Sequence, residues 1–143
     1  MGYTHYWSNT EILSPLIAHK VYEAVEKVIT ICKRMDIELT DGTGEPDTEP
    51  ECLDGKIVFN GLQDDGHETF WFQHNSLTKF QFCKTSGKPY DAAVTAVLVI
   101  LKQFMGNSVS IRSDGELSDW SLGIGIAAEA LDMEIDFRLD ESE

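Results

Sequence analysis

No apolar run in this sequence approaches the roughly 18 residues that a membrane-crossing helix needs, so no membrane association is expected. The N-terminus lacks a basic stretch followed by an apolar one, and no secretion signal is expected. Cysteine is sparse. Cys32, Cys52 and Cys83 are odd in number and form no CxxC, which argues against a disulfide framework and for a reducing cytoplasm. Cys32 and Cys83 read as small core hydrophobes. The four histidines, His5, His19, His67 and His74, show no HxxxH spacing, and neither a metal site nor a cofactor is expected. No GxSxG elbow occurs, and the TSGK at 85–88 lacks the spacing of a phosphate-binding P-loop.

Positive charge is scarce as well. The chain has 143 residues with 11 Lys and Arg against 25 Asp and Glu, a net charge of -14. That sign opposes a phosphate backbone, so direct nucleic-acid binding is not expected. It favours solubility and steers toward a basic partner. The charge is uneven. Residues 41–68 hold nine acids and one base, and residues 113–143 hold ten acids and one base. Residues 69–112 hold one acid and five bases. The stretch FCKTSGKPYD, residues 82–91, lies in this only positive segment.

What is present reads as one globular domain over residues 1–143, with an acidic loop at about 41–54 and a short acidic tail at 140–143. The loop, with its two Gly and two Pro over 41–52, is expected to be exposed and mobile. GYTHYW at 2–7 is a strand, with Tyr3, His5 and Trp7 on one face and Thr4 and Tyr6 on the other. A helix follows, starting at Ser8 with Glu11 as a capping box or at Ser14-Pro15. Ile17, Val21, Ala24, Val25, Val28, Cys32 and Met35 form its apolar face. Short strands are expected at 37–39 and 56–62.

ETFWFQ and KFQF, around 68–73 and 79–82, alternate with period two. They suggest a hairpin turning near Ser76, with Phe72 opposite Phe80, Phe70 opposite Phe82 and Glu68 opposite Lys84. Pro89 opens a helix that is apolar nearly all round from Ala92 to Leu101, and therefore central. A strand at 108–115 and a helix at 118–131 follow, although Gly123 and Gly125 weaken that helix. Residues 132–140 read as a half-buried strand, with Met133, Ile135, Phe137 and Leu139 pointing in. The class is α+β, a mainly antiparallel sheet packed against two or three helices.

Around FCKTSGKPYD, a Gly-containing turn feeds a helix start beside two lysines, an arrangement able to hold a phosphate or carboxylate. Asp91, near that helix start, can satisfy the helix dipole without a ligand. The hairpin register would bring Glu68, Lys84, Lys88 and Tyr90 together, with His67 adjacent. Such a group can bind a polar ligand or move a proton, or form a structural ion pair.

MGYTHYW, FNG at 59–61, HETF at 67–70, FCKTSGKPYD, and SDG at 113–115 with Trp120 together resemble a family of small uncharacterised proteins. Its members are encoded by bacteriophages and by bacteria, often in prophage regions. The resemblance implies a phage or prophage accessory protein of the bacterial host cytoplasm. It brings no catalytic residue. It marks His5, Asn60, His67, Glu68, Lys84, Lys88, Tyr90 and Asp91 as candidate ligand-binding positions. Two functions follow. One is a non-enzymatic interaction protein that binds, and so can inhibit, a host protein with a basic surface. The other is a binder or enzyme for a small anionic, nucleotide-like ligand at the His67, Glu68, Lys84 and Lys88 region.

Overall fold

Ser14 and Pro15 decide where the first helix begins. In the computed structural model, which describes residues 3–53, 55–73 and 77–140, the Ser14 hydroxyl accepts the Ile17 N–H at 3.3 Å. Pro15 takes the first helical position, where its missing N–H costs nothing. Helix α1 runs Pro15–Arg34 and buries Val21, Ala24, Val25, Val28 and Cys32 along one face. Ser8, the other candidate cap, instead lies inside strand β1, Thr4–Asn9.

The remaining elements are β2 (Leu39–Thr40), β3 (Glu51–Leu53), β4 (Lys56–Gly61), β5 (Phe70–Gln73) and β6 (Thr78–Lys84). Helix α2 (Asp91–Met105), β7 (Val109–Ser113) and α3 (Ser121–Leu131) complete the chain. Every residue of α2 from Ala92 to Leu101 is buried. At about 1.5–3 kcal/mol for each large aliphatic side chain removed from water, this helix is the main hydrophobic contributor to the fold. It packs against α1, α3 and β7. Among the described residues, no helix is long and apolar enough to cross a membrane.

The strands form two antiparallel sheets, so the class is α+β in a single small domain. One sheet has the order β6-β1-β7, and the other has β2, β3 and β5 all paired with β4. This corrects the expected hairpin: β5 pairs with β4, and β6 pairs with β1. The turn expected near Ser76 lies outside the described residues. Phe70 and Phe72 are buried, whereas Phe80 and Phe82 are exposed. The Phe70 ring sits 5.1 Å from both Phe59 and Trp7, which links the inner faces of the two sheets. Burial decides the pairing: Phe70 and Phe72 cover the core only if β5 completes the β4 sheet.

The strand expected at 132–140 also changes. Residues 132–140 form no strand. Phe137 is buried and stacks on Trp120 at 5.0 Å, but Met133 is exposed. Asp140, expected to point out, turns back onto the edge of β7. Its N–H donates to the Ile111 carbonyl at 2.8 Å and its carboxylate accepts the Ile111 N–H at 2.7 Å. The acidic loop is held by its own hydrogen bonds. The Asp41 carboxylate accepts the Thr43 N–H at 2.9 Å and the Thr43 hydroxyl at 2.5 Å, and the Gln63 N–H reaches the Gly44 carbonyl at 2.8 Å.

Candidate functional site

The joint after β6 is where the candidate residues meet, and it forms two clusters rather than one. Strand β6 ends at Lys84 and α2 begins at Asp91. Between them Ser86 and Gly87 adopt positive φ, with Gly87 at +69°, a conformation that favours glycine.

The first cluster is centred on His5, which is fully buried. Its Nε2 lies 2.6 Å from Asp91 Oδ1 and its Nδ1 lies 2.8 Å from Ser113 Oγ. An ionised carboxylate only accepts, so Nε2 carries a proton toward Asp91, while Nδ1 and the Ser113 hydroxyl share the second bond. The Thr85 hydroxyl donates to the same Asp91 oxygen at 2.6 Å, and the Gly115 N–H donates to Ser113 Oγ at 2.9 Å. The Tyr3 and Trp120 rings stand edge-on to the imidazole at 4.9 and 4.8 Å. Burial, followed by the Asp91 and Asp119 charges, pushes the Tyr3 hydroxyl up to about 12. The cluster ties β1, β7 and the start of α2 together.

The second cluster closes the seam between the sheets. The Glu68 N–H donates to the Lys84 carbonyl at 3.1 Å, and the Glu68 carboxylate accepts the Lys84 N–H at 2.7 Å. The buried Tyr90 hydroxyl donates to the Glu68 carbonyl at 2.5 Å. Burial above all, then the neighbouring Cys83, raises the Tyr90 pKa. Glu68 and Lys84 therefore meet, but through the main chain of Lys84. Its ammonium makes no ion pair among the described residues. Lys88 contributes its backbone, with its N–H on the Thr85 carbonyl at 3.1 Å and its carbonyl accepting the Asp91 N–H at 2.8 Å.

Asn60 and His67 form a separate pair. Asn60 donates to the His67 carbonyl at 2.9 Å and accepts its N–H at 3.1 Å, which clamps the loop between β4 and β5. The imidazole of His67 is exposed. The eight positions thus divide between three places; the side chains of His5, Asp91, Glu68, Tyr90 and Asn60 are hydrogen-bonded there, whereas Lys84, Lys88 and His67 contribute backbone atoms. Thr85, Ser113 and Cys83 also belong to these clusters; the sequence marks Cys83 only as a small core hydrophobe and does not mark Thr85. Only the SDG turn hinted at Ser113.

A different surface presents aromatic rings to water. On the outer face of β6-β1-β7, Tyr6 stands opposite Phe82 on one side and Arg112 on the other. Phe80 stacks on Tyr6 at 5.8 Å and Phe82 lies 5.9 Å from Phe80. Phe80 and Phe82 are 54% and 51% exposed. By contrast the exposed Trp71 on β5 is covered by the Lys56 ammonium, 5.0 Å from its ring centre. Alternation in KFQF placed Phe80 and Phe82 on one face, but nothing local said that this face meets water. Comparison with family models, curated proteins and solved structures gave no match.

Proposed function

We propose that this is a non-enzymatic interaction protein, a phage or prophage-type accessory factor of the host cytoplasm. It docks a host protein on the outer face of the β6-β1-β7 sheet and inhibits that protein by covering it. The observation that carries this reading is the pair of phenylalanines, each more than half exposed, lying side by side next to Tyr6. A contiguous aromatic patch on a water-facing sheet marks an interaction surface. Aromatic residues are also enriched at interface cores, with Tyr prominent among the residues that dominate binding energy. The two acidic segments supply a field that speeds the approach of a basic partner.

The test is capture from host lysate at low and high salt, comparing the wild type with a Phe80→Ser, Phe82→Ser double variant. A partner recovered by the wild type is lost by the variant at an unchanged melting temperature, and recovery falls at high salt. A partner held equally by the variant would show that docking happens elsewhere.

A further inference from the structure

One hollow in the outer face is chemically distinct. Tyr6, Phe80, Arg112, Ser113 and Asp114 line a cavity of about 270 Å³. Tyr6 and Phe80, stacked with their planes 28° apart, form one aromatic wall. Asp114 also lines the hollow and is held in place. One of its oxygens accepts the Tyr6 hydroxyl at 3.1 Å, and the other accepts the Thr4 N–H at 3.2 Å. Each oxygen keeps further acceptor capacity, and Asp114 itself is exposed. The chain continues into Glu116 and Asp119, also exposed. Arg112 is the one base of the cavity and makes no ion pair among the described residues.

We infer that the occupant of this hollow is an arginine side chain on a basic segment of the partner, an assignment that rests on the docking role proposed above. Charge complementarity selects a cation. Asp114 lines the hollow and is followed in the chain by the exposed Glu116 and Asp119, against the single base Arg112, and the whole chain carries -14. The aromatic wall selects arginine over lysine. A guanidinium is flat, weakly hydrated and lies on a ring face while its edge meets a carboxylate through two parallel N–H bonds. A lysine ammonium is a compact, strongly hydrated point charge and gains less from the ring. Arg112 repels the incoming cation and directs it to the Asp114 side. It therefore weakens binding, which gives the two cavity charges opposite signs of effect.

The experiment is an NMR titration of the full chain with a capped arginine-rich peptide at low salt, with lysine and citrulline analogues as controls. The arginine peptide shifts the ring resonances of Tyr6 and Phe80, the lysine peptide does so more weakly, and the citrulline peptide does not. Asp114→Asn weakens binding about tenfold, as loss of one oriented ion pair implies. Arg112→Gln tightens binding. The inference is overturned if the shifts avoid Tyr6 and Phe80 or if citrulline serves as well. It is also overturned if Arg112→Gln abolishes binding while Asp114→Asn improves it, which would assign an anionic occupant. If the arginine peptide fails while the Phe80, Phe82 variant still loses its captured partner, only the arginine assignment falls. A partner that survives that variant removes the docking role and this inference together.

Discussion

His5 shows how much one residue can organise. It reaches Asp91 at the start of α2 and Ser113 at the end of β7 from a position with no solvent exposure. Removing one member of a buried polar pair leaves the other unsatisfied, which costs more than the bond itself contributed. His5→Phe preserves a ring for Tyr3 and Trp120 but removes one buried hydrogen-bond partner each from Asp91 and Ser113. It should destabilise the protein by about 2 kcal/mol in urea unfolding. Asp91→Asn keeps an acceptor for Nε2–H and for Thr85, so its loss is smaller. Equal stability of His5→Phe and wild type would mean the cluster contributes nothing to folding. His5 and Asp91 were both legible as candidates in the sequence, but their pairing was not, because 86 residues separate them and no local spacing encodes the contact.

At the scale of elements, α3 explains why glycines persist in a helix. A β-carbon on Gly123 would collide with the Thr95 hydroxyl of α2, so the two helices touch there at backbone distance. Around Gly125 there is open space. The same substitution therefore has opposite signs two residues apart. Gly123→Ala should destabilise by about 1–3 kcal/mol through overpacking. Gly125→Ala should stabilise by up to about 1 kcal/mol through helix propensity. Thermal unfolding of the two single variants decides this, and two stabilising outcomes would refute the close helix crossing. The strands carry a related lesson. Period-two alternation located β5 and β6, yet they pair with β4 and β1 and not with each other. Short connections make a hairpin the natural reading, but core burial of Phe70 and Phe72 outweighs that proximity.

For the whole molecule, burial of acidic protons sets the response to alkali. Burial holds the Cys32 thiol up at about 11. Burial, with the Glu26 charge, holds Cys52 at about 12. Burial also holds Cys83 at about 12, with Glu68 and Asp91 adding to it and the Tyr90 hydrogen bond opposing it. Above the ordinary thiol value of 9.0 the unfolded chain loses these protons while the folded chain keeps them. The unfolded state then binds fewer protons, so stability falls as pH rises from about 9 toward 12. Melting temperatures across that range should decline, and Cys32 and Cys83 should resist thiol reagents until the chain unfolds. A flat profile would contradict the burial of the thiols.

The sequence alone determined what depends on neighbours in the chain: Ser14-Pro15 as one of two starts offered for α1, the all-apolar α2, the alternation of β5 and β6 and the uneven charge. These rest on capping, side-chain period and composition, which act over a few residues. The tertiary structure decided which strands pair, why Gly123 is glycine and why Asp140 folds back on Ile111. It also decided that Phe80 and Phe82 face water while Phe70 and Phe72 face the core. Those outcomes depend on which surfaces compete for burial across the whole chain, and no local pattern contains that competition.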